Sequence, residues 1–176
     1  MSDENQITHH SSFITSKYIV KNTSRLTQMF RAASHGQPWH GDSIFKIIKD
    51  ITAEEAAAYP IPGSHSIWEY LVHMMNWREY AVRTLLDDEL YIVELNTEKD
   101  WTTITDFSEE AWAATIEKYK KSTDELSEAI LTVEDSSLGE IIPGHKFSYY
   151  TLLHGIIQHD IYHSGQIVLL KKLIRN

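Results

Sequence analysis

Two of the ten histidines in this chain, His159 and His163, stand four residues apart in the C-terminal stretch QHDIYHSGQIVLLKKL, and Gln166 follows one turn later. On an α-helix each residue advances about 100°, so positions four apart share a face, with Cβ atoms about 5–6 Å apart. Such a pair can present two imidazole nitrogens to one metal ion, about 2.0–2.1 Å from a zinc. Leu152, Ile156, Gln166, Leu170 and Leu173 fall on the same face, so the pair sits midway along an apolar, inward-looking stripe. A third ligand has to come from a facing helix. His73 is the best placed, well inside a second long apolar segment. Glu69, Tyr70, Asn76, Trp77 and Tyr80 fall on its face, while Ile67, Leu71, Met74, Val82 and Leu85 lie around towards the other side. Three neutral imidazoles leave a coordination position open for water or substrate, the pattern of a catalytic rather than a closed structural site. Trp77, Tyr80 and Tyr162 are candidates for the wall of a partly wet pocket beside it.

Other readings stand beside this one. A lone buried histidine is more often a hydrogen-bonded core residue than a ligand, which applies to His73 taken alone. His159 and His163 without a metal would need other partners and would resist protonation. Gln166 is either a satisfied polar residue or a second polar group supporting a ligand. His154 is offset to a different face, and His9, His10, His35, His40, His65 and His145 fall in expected loops or ends, where surface histidine is the default. The motif HDIYH invites comparison with H-E-x-x-H, whose Glu is a general base. Here that position is Asp160, one methylene shorter, which disfavours a metallopeptidase and reads more simply as a solvated or capping carboxylate. Asp160 and Glu69 are the candidate bases for a hydrolytic reaction, and no residue is assigned a catalytic role from spacing alone.

The elements that must position these groups read as helices. A first helix is expected over Phe13 to Ala33, with Ile14, Tyr18, Val20, Leu26, Met29 and Phe30 as its stripe. Asp42 or Ser43 precedes an apolar run, and Thr52 followed by Glu55 forms a capping-box pattern, so two short helices are expected before the Pro60 to Gly63 turn. Ser66 and Glu69 form a second capping box opening a long helix to about Asp88. Another begins at Ser108, with Glu109 and Glu110 in the first turn, and runs to about Leu131. The last covers Tyr149 to Ile174. The expected fold is all-α, a four-helix bundle with a longer crossover containing short helices between the first and second long helices. Residues 1–12 are expected to be a flexible terminus and residues 13–176 a single domain.

Composition narrows the chemistry. The net charge of -9 argues against nucleic acid as a partner, since no basic stripe is present. The absence of cysteine excludes disulfides, thiolate ligands and a cysteine nucleophile, so any thiol chemistry needs a thiol from outside. No stretch reaches the roughly 20 apolar residues that span a bilayer, and no signal-peptide pattern opens the chain, so a cytoplasmic location and no membrane partner are expected. Leu153, Ile157, Ile161 and Val168 lie roughly opposite the histidine face, and an element apolar on two sides suggests a homodimer through the last helix.

Three segments, SIWEYLVHMMNW (Ser66 to Trp77), HDIYHSGQIVLLKK (His159 to Lys172) and WHGDSIFKII (Trp39 to Ile48), together resemble the DinB-like, damage-inducible superfamily, which includes bacillithiol and related thiol S-transferases. The resemblance implies a four-helix bundle, often dimeric, with a divalent metal, commonly nickel or zinc, held by one histidine of the second helix and two of the last. Carried over residue by residue, these are His73, His159 and His163. The open three-histidine site and the resemblance together suggest a metal-dependent transferase in which a low-molecular-weight thiol attacks a small electrophilic substrate held against Trp77, Tyr80 or Tyr162. A metal-dependent hydrolase of small amides or esters, and a non-catalytic metal-binding stress protein, are the alternatives.

Overall fold

The computed structural model describes residues 20–88 and 90–176. Among the described residues six α-helices follow in order: α1 (Asn22–His35), α2 (Ile44–Ile48), α3 (Ala53–Ala57), α4 (Ile67–Leu85), α5 (Glu109–Thr132) and α6 (Tyr149–Arg175). No strand occurs among the described residues, apart from an isolated bridge between Ile141 and Ser148. The fold is all-α, and α1, α4, α5 and α6 form a four-helix bundle with α2 and α3 in the crossover between the first two. No helix among the described residues is long and apolar enough to cross a membrane.

The helix starts follow local chemistry. Thr52 with Glu55, and Ser66 with Glu69, each form the reciprocal capping box expected of them. Ser108 and Ser148 cap α5 and α6 by accepting from Ala111 N and Thr151 N. Helix α2 follows Ser43 without a side-chain cap, and helix α1 likewise receives none from Lys21, which precedes it. The first amides of α1, Asn22 N and Thr23 N, donate instead to the Asp135 carboxylate at 2.6 and 3.0 Å, from the turn after α5. The expected start at Phe13, with Ile14 and Tyr18, lies outside the described residues, as does the terminus 1–12. Two members of the expected stripe, Val20 and Met29, are exposed.

Pairings between helices give their directions. Trp68 donates to Thr115 and Arg78 to Ser122 and Thr123, so α4 and α5 run parallel. Tyr70 meets His163 while Arg78 meets Asp160, so α6 runs antiparallel to α4. Helix α1 packs on α5 and α6 and runs antiparallel to α5, with Thr23 near Asp135 and Ser34 at Tyr119. Two parallel neighbours cannot be joined by a tight turn, so residues 86–108 must return along the bundle. Sequence patterning marked that stretch only as a connection. Its bend at Asn96 uses the left-handed region, φ 62°, which asparagine tolerates better than most residues.

The interior is two apolar clusters. Ile44, Ile48, Ile67, Trp68, Leu71, Met74, Trp112 and Ile167 fill the crossover end. Leu26, Phe30, Leu126, Ile130, Leu153 and Ile157 fill the opposite end. This burial within one protomer accounts for the second apolar face of α6: Leu153 and Ile157 are core residues, so they give no reason for a dimer. Leu173, expected to face inward, is exposed, as are Tyr162 and Leu169. The far end of α6 is tied to the crossover by Lys171 to Asp50 and by Arg175 to Asp50 and Glu55. Hydrogen bonds from Lys171 and then Arg175 hold the Asp50 carboxyl well below the usual range.

Between the clusters lies a polar layer. Arg78 and Asp160 are both fully buried and form an ion pair, Nε to Oδ2 at 3.0 Å and Nη2 to Oδ2 at 2.7 Å. The remaining guanidinium donors go to Ser122, Thr123, Ser34 and Tyr119, and the plane lies over the rings of Tyr119 and Phe30. The reading of Asp160 as a solvated or capping carboxylate is thus corrected. Position 160 lies on the register of Leu153, Ile157, Ser164 and Ile167, all buried. Arg78→Met would leave Asp160 a buried charge without its partner, so it is expected to cost about 3–5 kcal/mol of unfolding free energy. Ser66→Ala, which removes one cap, is expected to cost about 1 kcal/mol. Urea unfolding of the two variants beside wild type checks the order; equal losses would mean that the ion pair contributes no more than a helix cap.

Candidate metal centre

His73 comes from the middle of α4, and His159 and His163 from successive turns of α6. The antiparallel packing of the two helices brings all three together. His73 Nε2 lies 3.0 Å from His159 Nε2, and His163 Nε2 lies 3.1 Å from the same atom. His73 and His163 are buried, while the His159 side chain keeps about a quarter of its surface, 25%, open to solvent.

The opposite nitrogens decide what the convergence means. His73 Nδ1 lies 2.9 Å from the backbone oxygen of Asp100 and 3.0 Å from its carboxylate Oδ1. His163 Nδ1 lies 2.5 Å from Gln166 Oε1. An imidazole whose Nδ1 faces only acceptors carries its proton there and turns a lone pair outward at Nε2. His159 Nε2, the atom common to both spacings, either donates its own proton to one of these lone pairs or presents a third lone pair that repels them unless a cation lies among them. Two ligands about 2.0–2.1 Å from one ion are separated by about 2.9 Å at a right angle and about 3.4 Å at the tetrahedral angle. The two spacings to His159 fall within that interval and all three ligand atoms lie within 4.8 Å of one another, so the three histidines could hold one divalent cation. Gln166, which patterning left between two roles, supports a histidine.

The segment joining α4 to α5 completes the surroundings. Asp100 is buried, and its carboxylate also accepts from Trp77 Nε1 at 2.8 Å and from Asn96 N at 2.8 Å. Trp101 stacks on His73, with ring centroids 3.9 Å apart and planes 5° from parallel, and His65 stacks on the other face of Trp101 at 3.4 Å. Sequence patterning left Asp100 and Trp101 unassigned and placed His65 at the surface. The only signal was a carboxylate next to a tryptophan in a polar connection.

The proposed pocket residues are distributed unevenly. Trp77 lies 6.1 Å from His159, and Tyr80 meets Trp77 edge-on at 5.4 Å. Tyr80 Oη lies 3.4 Å from His145 Nδ1, and His145 in turn packs on Phe147. His145 is therefore half-buried in an aromatic wall and His65 half-buried in a stack, correcting their assignment to the surface. Tyr162 lies beside His163 with most of its side chain exposed. Glu69 does not reach the histidines: its carboxylate accepts from Ser66 N at 2.7 Å in the capping box. His154 stacks on Tyr150, away from the cluster. A surface groove between α4 and α5 is bordered by Val72, Met75 and Val82 and by none of the three histidines.

Burial first, and then the neighbouring His159, push the His163 imidazole down to about 4. Burial likewise lowers His73, outweighing its hydrogen bond to Asp100. A histidine with a folded value below its unfolded one, about 6.5, binds fewer protons folded than unfolded between the two. Stability is therefore complete above about pH 6.5 and falls as the pH drops towards about 4, by up to about 1.4 kcal/mol per pH unit for one such group. Urea unfolding of the metal-stripped protein across this window should show the loss, and His163→Ala should flatten it. Equal slopes in the two proteins would contradict the assignment.

A family model described as DinB superfamily matches residues 39–167, which contain the crossover, α4, α5 and all three histidines. No curated protein and no solved structure matches the chain.

Proposed function

The chain belongs to the DinB superfamily, and we propose that His73, His159 and His163 hold one divalent cation, zinc or nickel, with which it transfers a low-molecular-weight thiol to small electrophiles. The observation that supports this most is the convergence of the three Nε2 atoms, with the Nδ1 atoms of His73 and His163 engaged by oxygen acceptors. Imidazole donors suit both metals, so the donor set does not choose between them. A bound divalent cation would supply Lewis acidity, lowering the pKa of a thiol at the open position.

The chain's own residues account for the remaining requirements. With no cysteine in the sequence, the thiol is a separate small molecule and meets no competing internal thiolate. In the transfer the thiol gives its proton to solvent and its sulfur bonds to the electrophilic carbon, while the leaving group departs with the electron pair of the bond that breaks. Trp77 and Tyr80 would form one apolar wall for the electrophile and Tyr162 the other. Asp100 and Gln166 would hold two of the imidazoles in place. Hydrolysis is less well supported, because both carboxylates considered as bases are engaged elsewhere, Asp160 by Arg78 and Glu69 by the start of α4. A cytoplasmic setting, where small thiols remain reduced, fits this chemistry.

Metal analysis of untagged wild type is expected to find about one equivalent of divalent metal, lost in His73→Ala, His159→Ala and His163→Ala. Loaded protein should consume glutathione, cysteine or bacillithiol with chlorodinitrobenzene or a haloalkane, and chelation should stop it. Turnover of an ester or amide without added thiol would favour the hydrolase. A large fall in melting temperature on chelation, with no turnover in either assay, would leave a non-catalytic metal protein.

The homodimer remains part of the proposal on different residues from those first considered. Tyr162, Leu169 and Leu173 are 65%, 52% and 46% exposed along one side of α6 and would form its contact. Sedimentation at micromolar concentration should show a dimer, and Leu169→Glu should dissociate it; a wild-type monomer would end this part.

A further inference from the structure

His159 differs from its two companions in what lies behind it. His73 Nδ1 and His163 Nδ1 each have an oxygen within hydrogen-bond distance. His159 Nδ1 is buried and has no hydrogen-bond partner among the described residues. Asp160 Oδ1 is buried and unpartnered in the same way, and it lies 3.8 Å from that nitrogen. The gap is too short for a water on the line between them. A movement of less than about 1 Å would bring the two into hydrogen-bond range.

Asp160 has little freedom to do anything else. Its Oδ2 takes two hydrogen bonds from Arg78, at 3.0 and 2.7 Å. Arg78 is itself held by four further side-chain oxygens, those of Ser122, Thr123, Ser34 and Tyr119. The carboxylate is therefore fixed in orientation, with one oxygen towards the guanidinium and the other towards His159. A carboxylate behind an imidazole sets its tautomer and its direction.

We infer that Asp160 is the positioning residue of the three-histidine site: its Oδ1 accepts the Nδ1 proton of His159, so that the Nε2 lone pair of His159 is the one facing His73 and His163. This rests on the reading of the cluster as a cation site, but the hydrogen bond itself is tested separately. Arg78 acts one step further back, holding the carboxylate, so the layer between the two apolar clusters and the metal centre form one connected network.

Asp160→Asn separates positioning from space-filling, because the two side chains have nearly the same shape. The Arg78 donors require an acceptor, so the amide oxygen turns to Arg78 and the NH₂ group to His159 Nδ1. That nitrogen must then accept, and the proton moves to Nε2, where it blocks ligation. Long-range ¹H–¹⁵N correlation spectra of the metal-stripped full chain at about pH 8, above the ordinary imidazole value, read this directly. Wild type is expected to carry all three protons on Nδ1, and Asp160→Asn to invert His159 alone. Zinc competition titrations are expected to show about 10–100-fold weaker binding in the variant.

An unchanged His159 tautomer in Asp160→Asn, or zinc affinity within about twofold of wild type, would overturn the inference. If the variant does not fold, the wild-type spectrum decides, since a proton on His159 Nε2 would overturn it equally. A wild type with the expected tautomers that binds no zinc would support the Asp160 to His159 hydrogen bond and overturn the cation reading instead.

Discussion

Arg78 and Asp160 occupy a layer of the bundle from which water is excluded, and the positions of α4 and α6 follow from their contact. Two opposite charges removed from water gain their mutual attraction but lose their hydration, and the balance is close to even or unfavourable beside an apolar pair. What such a pair does supply is register, because sliding one helix by a turn would strand both charges. Arg78 lies five residues, about 7.5 Å along the axis, from His73, and Asp160 adjoins His159. The contact that fixes α4 against α6 therefore also fixes the first histidine against the other two.

The histidine cluster uses the same device at smaller scale. Two imidazoles brought within hydrogen-bond distance of a third are unfavourable when charged, and burial pushes His163 and His73 towards the neutral form. Neutral rings can still point either nitrogen inward. Asp100 and Gln166 settle that choice for His73 and His163 by occupying Nδ1. The aromatic stack of His65, Trp101 and His73 limits rotation of the first ring and covers it from solvent. A donor set arranged before any ion arrives spends little of the binding free energy on ordering side chains.

The parallel pairing of α4 and α5 has a consequence for the site. It obliges residues 86–108 to travel back along the bundle, and Asp100 and Trp101 lie on that return path beside His73. A tight antiparallel connection would have left Trp77 Nε1 and His73 Nδ1 without their present partner. The topology and the outer surroundings of the histidines are thus the same fact described at two scales.

Much was legible before the fold. The i, i+4 spacing placed His159 and His163 on one face, and the capping boxes at Thr52 and Ser66 located two helix starts, because helical geometry is local and repeats every few residues. Arg78 and Asp160 also stand on apolar registers, Leu71, Met74 and Ala81 for one and Leu153, Ile157 and Ile167 for the other, so a buried pair was written into the pattern although Asp160 was assigned to solvent. The roles of Asp100, Trp101, His65 and His145, the cap that Asp135 gives to α1, and the burial of Leu153 and Ile157 within one protomer could not be read this way. Each depends on a contact between segments far apart in the chain, and an irregular segment has no periodicity to say which face it will cover. By itself the sequence determined the long helices from Ser66 onwards, most of their apolar positions and the three histidines. Only the tertiary structure decided the parallel course of α4 and α5 and which oxygens stand behind each imidazole, because both depend on how whole helices pack.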